Sequence, residues 1–228
     1  MNGEVGSKEG EKSLRVEPKL VTVDGVDGAG SSVIAKALAE RLRQAGYEVL
    51  LIEAPKELQG YPKRVLENYS KQDSSRVNLG YLAETKRAYR DRVRPALTAG
   101  MVVIMVSSEV KNLMHAILDH NEQSSLDSIS KGTATNGLVA GTRVVVQAPP
   151  EEIVKVLQER KSSGRLSQHD PTPQLIAVND RVGALRKATD LVQKALPGSA
   201  VIKINNDRLQ APDKIAADII SRLKLSSN

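Results

Sequence analysis

The chain has 228 residues, of which 40% are hydrophobic; it has no Cys, no Phe, no Trp and five Tyr. That length suits one α/β domain with a full core. The missing thiols exclude a disulfide framework, a thiolate metal site and a Cys nucleophile, and Leu, Ile, Val and Ala are left to pack a buried parallel sheet. A formal net charge of +6 favours anionic ligands, nucleotide or nucleic acid, without choosing between them. No apolar run approaches the ~18 residues that span a bilayer, and residues 1–19 lack the apolar stretch of a secretory signal. A soluble, cytoplasmic chain with no membrane partner and a disordered tail over 1–19 is therefore expected. Its histidines are scattered, and His115 and His120 do not share a helix face, so no metal cluster is expected from them.

In chain order, residues 20–23 form a short apolar run that ends in the Gly-rich turn Asp24-Gly-Val-Asp-Gly-Ala-Gly30. Val33, Ala37, Leu38 and Leu42 then recur at helical spacing, predicting a helix over 31–45 stopped by Gly46. Residues 47–52 read as a second strand, so the first unit is strand, loop, helix, strand, with a right-handed parallel crossover. A short helix over 61–69, a long cationic helix over 79–97 and a central strand over 101–106 follow. Residues 110–119 look helical, and 121–141, rich in Ser, Thr, Gly and Asn, read as a loop. A strand over 144–148 and a helix over 150–160 come next, the helix with Pro in its first turn. The segment 162–173 is polar and flexible; a long helix over 175–196, a strand over 200–204 and a helix over 212–225 complete the chain. Strands alternate with helices throughout, which predicts a three-layer α/β fold with a central parallel sheet flanked by helices, occupying residues 20–226.

The phosphate-loop pattern is G-x-x-x-x-G-K-[ST]. Gly25 and Gly30 have its spacing, with Asp27, Gly28 and Ala29 between them, and Ser32 fills the Ser/Thr position whose hydroxyl holds Mg²⁺. Ser31 stands where the lysine belongs. The backbone part survives this change, because a glycine loop opening a helix presents N–H groups and a positive dipole end to phosphates. The lysine's point charge does not survive. The alternative is a strand-to-helix turn with no ligand.

Leu20-Val-Thr-Val-Asp-Gly-Val-Asp-Gly-Ala-Gly-Ser-Ser resembles the first strand and phosphate loop of the thymidylate kinase family. Ala39-Glu-Arg-Leu-Arg-Gln-Ala-Gly-Tyr-Glu-Val resembles its first helix and the entry to its second strand. Residues 83–97, followed by Ala99-Gly-Met-Val-Val, resemble its long substrate-side helix and next strand. Arg143-Val-Val-Val-Gln-Ala-Pro-Pro-Glu-Glu, Gly164-Arg165 and Asn205-Asn-Asp-Arg resemble the strand before the lid, the start of the lid (about 160–174) and the C-terminal end. Segments in this order over 20–225 imply a P-loop nucleotide-binding fold, ATP and Mg²⁺ as cofactors, and γ-phosphoryl transfer to dTMP or a related nucleoside monophosphate. They also imply a homodimer.

The resemblance departs from the family at its charges. Where the family has Arg-Glu-Pro after the second strand, this chain has Glu53-Ala54-Pro55. Its Asp-Arg beside the monophosphate becomes Glu84-Thr85, and its Asp-Arg-Tyr after the next strand becomes Val106-Ser107-Ser108. Arg160, Lys161 and Arg165 remain in the lid, and Val26-Asp27-Gly28-Ala29 resembles the subgroup that supplies the catalytic arginine from the lid. The resemblance thus assigns Arg165 and Arg160 as catalytic cations, Tyr81 to the base and Glu84 to the monophosphate. Arg87, with Arg90 and Arg94 on nearly one helix face, is a candidate phosphate contact. The plain alternatives are a Tyr covering the core and a solvated basic face. Losing one preorganised donor costs ~10²–10³ in rate, and a transition-state arginine is worth about 10³–10⁵, so slow transfer is expected. The competing reading is an inactive nucleotide binder or scaffold. Nucleic-acid binding is disfavoured by the scarcity of aromatic stacking platforms and the lack of a recognised motif.

Overall fold

The structure is a computed structural model that describes residues 15–53, 82–83, 85–132, 135–166, 170–207, 210–223 and 225. Its strands are β1 (Arg15–Gly25), β2 (Val49–Glu53), β3 (Val102–Val106), β4 (Leu138–Gln147) and β5 (Ala200–Asn205). All pair in parallel, in the order β2-β3-β1-β4-β5. β3 is buried at every residue, Val102 to Val106, as a central strand covered on both faces must be. The helices are α1 (Ser31–Gln44), α2 (Arg94–Thr98), α3 (Glu109–Leu118), α4 (Glu122–Ser130), α5 (Pro150–Ser162), α6 (Leu175–Ala195) and α7 (Pro212–Arg222). α1 packs along α7, and α3 along α6. This is the three-layer arrangement that the alternation of elements predicts.

α1 buries Ile34, Ala35, Leu38, Ala39 and Leu42 at helical spacing. Gly46, at φ 87°, ends it in the left-handed conformation. Leu20 packs with Ile52, Tyr89, Val93, Val103 and Met105, whereas its neighbours Val21 and Val23 join the core around α1. Opposite faces of β1 thus serve opposite helical layers.

The structure corrects the expected elements at several points. β1 begins at Arg15, so residues 15–19, expected in the tail, pair with β4 through Arg15↔Leu138, Val16↔Val139 and Glu17↔Ala140. The pairing shifts register between Glu17 and Val21, and this irregularity around Pro18 hides the strand in the sequence. Residues 122–130, expected in a loop, form α4, which buries only Ser125 and Ile129; its contact with α3 and α6 overrides a weak apolar pattern. β4 starts at Leu138, six residues before the expected strand. The long cationic helix is interrupted at Tyr89–Val93 by a π-helical turn, in which the Arg94 N–H donates to the Tyr89 carbonyl. Pro95 has no N–H for the Asp91 carbonyl, and the wider turn absorbs that loss. The expected helix over 61–69 lies outside the described residues.

Gly141 is where β4 lets the irregular part of β1 approach: a Cβ there would lie 2.6 Å from Pro18 Cα and 2.7 Å from the Glu17 carbonyl oxygen. Gly141→Ala is therefore expected to lower the unfolding free energy by roughly 1–3 kcal/mol in urea denaturation, the usual cost of overpacking. Gly183, exposed within α6, has nothing within 4 Å of the same atom. Gly183→Ala should raise stability by about 0.5–1 kcal/mol through helix propensity.

Candidate functional site

Residues 25–32 connect the C-terminal end of β1 to the first turn of α1, the edge of an open parallel sheet where ligands bind. Gly25 lies against β4, since a Cβ there would approach the Val146 carbonyl oxygen to 3.1 Å and Ser31 Cβ to 3.3 Å. Gly28 and Gly30 take φ of 93° and 94°, a conformation that favours glycine. Within the loop the Ala29 N–H donates to the Val26 carbonyl at 2.9 Å. Among the described residues no hydrogen bond engages the N–H groups of Gly28, Gly30, Ser31 or Ser32, and all four residues are half-buried. Free donors at a helix start are what the backbone half of an anion site needs.

The rest of the fold holds this loop in place. Asn206, just beyond β5, donates its carboxamide to the Ala29 carbonyl at 2.8 Å, and its own N–H bonds the Gln147 carbonyl at 2.7 Å. A Cβ on Gly30 would sit 2.6 Å from Asn206 Nδ2, so a side chain there would displace the carboxamide from the Ala29 carbonyl. Ile153 and Leu157 of α5 lie beside Gly28.

Asp27 projects from the loop into two cations: Lys111 of α3 donates to it at 2.6 Å and Arg181 of α6 at 3.2 Å. Burial opposes its charge, but Lys111 and Arg181 outweigh burial and hold the carboxyl below its ordinary value of 3.8. Neither cation was singled out from the sequence. A signal existed for Arg181, which stands three residues after buried Val178 and four before buried Leu185, on the inward stripe of α6. Lys111 carries no such mark.

The turn after β3 is built on Asp24. The Ser108 N–H and hydroxyl donate to its two carboxylate oxygens at 2.7 and 2.6 Å, and the same hydroxyl accepts from the Val110 N–H and caps α3. Burial pushes the Asp24 carboxyl above 3.8 in spite of these bonds. Ser107 has φ 66°, a strained conformation for a residue with a side chain. Glu109, fully buried, accepts from Arg143 Nη1 at 2.7 Å and from the Tyr89 hydroxyl at 3.3 Å. Arg143 Nε donates to Ser199 Oγ at 3.2 Å, while its Nη2 is buried without a partner among the described residues. An ion pair has thus taken over the interior below the turn.

The other expected site residues fall as follows. Gly25, Asp27, Gly28, Ala29, Gly30, Ser31 and Ser32 come together in the loop. Arg160 pairs with Asp170 at 3.3 Å, and Arg165 donates to Ser163 Oγ at 2.9 Å, both within the expected lid. Arg87 and Arg90 both engage Asp91 on an exposed face, whereas Arg94 donates to the Asn136 carbonyl beyond the π-helical turn. These arginines do not form one convergent cradle. Tyr81 and Glu84 lie outside the described residues. The loop's free N–H groups fit a nucleotide's phosphates. For Mg²⁺, Ser32 offers a hydroxyl, Asp24 is committed to Ser108, and the described residues contain no cluster of three His, Cys, Asp or Glu. Mg²⁺ would therefore rest on Ser32 and the phosphates themselves.

The family model for thymidylate kinase matches residues 23–115. A thymidylate kinase of Chlorobium luteolum is 30% identical over 148 residues, covering 62% of this chain and 68% of the relative. One from Ruegeria pomeroyi is 36% identical over 89 residues, 37% of this chain and 42% of the relative. The chain spans less than half the length of several such relatives, 42% to 45%. The crystal structure of thymidylate kinase from Ehrlichia chaffeensis superposes with a TM-score of 0.59 at 15% identity, over 90% of this chain and 98% of that one, which shows the shared fold. With the loop at its expected place in the sheet, the chain belongs to the thymidylate kinase family. No helix among the described residues is long and apolar enough to cross a membrane.

Removing one member of a buried ion pair strands the other charge. Arg143→Met is expected to cost about 3–5 kcal/mol in urea unfolding, with part of that recovered in the Arg143→Met, Glu109→Gln double variant. For Asp27 the folded-state pKa is depressed, so its contribution is present above 3.8 and is lost as pH falls through the folded value. The stability gap between wild type and Asp27→Asn, followed by urea midpoint against pH, should be largest above 3.8 and close in acid.

Proposed function

We propose that the chain binds a nucleotide through residues 25–32 and transfers the γ-phosphoryl group of ATP to a nucleoside monophosphate, dTMP or a close relative, slowly. The observation that carries this reading is a phosphate loop with free, half-buried N–H donors and Ser31 in the lysine position. Phosphoryl transfer depends on positioning and on neutralising charge. The donors at the head of α1 supply positioning; the fixed cations of the family pattern at residues 31 and 107 are replaced by serine. Mg²⁺, when bound, would be held by Ser32 and the phosphates and would supply part of that neutralisation. Arg160 and Arg165 are the lid cations left for the transferring group.

The second reading, a catalytically inactive nucleotide binder or scaffold, is favoured by Glu109. The acid following Ser107-Ser108 is enclosed and paired with Arg143, so it offers no carboxylate to a metal or a substrate.

Calorimetry with ADP and ATP in Mg²⁺, beside a coupled assay with dTMP and other monophosphates, tests both. Binding is expected, with turnover at least ~10³-fold below the 1–100 s⁻¹ typical of kinases. Residual turnover should vanish in Arg165→Ala, and Ser31→Lys should tighten ATP binding roughly tenfold or more. Turnover in the ordinary kinase range rejects the slow-transfer reading. Absence of nucleotide binding by both wild type and Ser31→Lys rejects nucleotide function altogether.

A further inference from the structure

The cations beside the loop have no role in the family pattern that led to it. Lys111 and Arg181 reach Asp27 from two different helices, α3 and α6, which pack along each other. Their side chains are only 16% and 18% exposed, so they are fixed groups in a partly desolvated setting and not mobile surface charges. Two cations face one carboxylate, which leaves one positive charge in excess next to Gly28. Meanwhile Ser31 gives the loop no charge of its own. We infer that Lys111 and Arg181 form the electrostatic half of the phosphate site, supplying from α3 and α6 the positive charge that Ser31 does not. In this arrangement Asp27 orients both cations while the site is empty, and a polyphosphate at the loop draws on the same two side chains.

Each group has a distinct part. The amides of residues 28–32 donate hydrogen bonds and fix the register of the phosphates. Lys111 contributes a compact ammonium charge, and Arg181 a planar fork able to bridge Asp27 and an anion at once. The inference rests on the nucleotide-binding reading above.

The test is calorimetry with ADP and with inorganic pyrophosphate on the full chain, comparing wild type with Lys111→Met, Arg181→Met, Lys111→Arg, Asp27→Asn and the Ser31→Lys, Lys111→Met pair. Urea midpoints identify any variant that fails to fold, and the charge-keeping Lys111→Arg guards against mistaking lost packing for lost charge. Lys111→Met and Arg181→Met are each expected to weaken ADP and pyrophosphate binding roughly tenfold, with Lys111→Arg close to wild type. Asp27→Asn, which removes the competing anion, should bind as tightly as wild type or more so. In the presence of Ser31→Lys the loss caused by Lys111→Met should shrink, since the loop then carries its own cation. Wild-type binding that is unchanged in folded Lys111→Met and Arg181→Met overturns this inference and leaves nucleotide binding standing. No ADP binding by the wild type or by Ser31→Lys overturns the parent reading, and this one with it.

Discussion

The constraint on which the site depends is the bond between Asp24 and Ser108. A carboxylate at the end of a central strand is costly to bury. Here both its oxygens are taken by one residue of the neighbouring β3–α3 turn, with the backbone amide and the hydroxyl acting together. That clamp fixes where α3 starts relative to the Gly-rich loop, which begins at the next residue, Gly25. Lys111 stands in the first turn of α3, so the same clamp sets the distance from Lys111 to Asp27. The strained φ of Ser107 and the cap on Val110 both belong to this geometry. The turn that carries charged residues in the family pattern has become a structural joint.

The neighbouring network deepens that change. Glu109, Arg143 and Tyr89 enclose an ion pair whose members see no solvent. Burial and the nearby Glu109 push the Tyr89 hydroxyl well above its usual titration range, so it remains a donor. Buried ion pairs contribute little net stability compared with an apolar packing of the same volume, yet they strongly penalise the loss of either partner. A site arranged in this way is rigid and specific in structure. Its charges face one another across the interior and are not offered at the surface.

Much of this was legible in the sequence. The alternation of apolar runs with helical stripes specified the layers, and the glycine spacing located the loop, because both rest on local periodicity and backbone freedom. What stayed hidden depended on contacts between distant segments. The start of β1 was masked by Pro18, whose accommodation needs Gly141 on another strand. α4 has too few apolar residues to declare itself and is held by α3 and α6. Lys111 and Arg181 are ordinary charged residues on helices until the fold brings them to Asp27, 84 and 154 positions away. The basic stripe of Arg87, Arg90 and Arg94 is continuous only on a regular α-helix. The π-helical turn around Tyr89 rotates Arg94 out of that row.

Asn206 gives the loop a dependence that its position near the N-terminus conceals. The peptide joining Ala29 to Gly30 is strapped by a side chain that the pairing of β5 with β4 brings into place. The stretch 23–115 that carries the family signature contains the glycines but not the strap. The glycine motif is therefore complete in the sequence long before the residue that straps it, and the loop has its full set of bonds only when β5 lies beside β4.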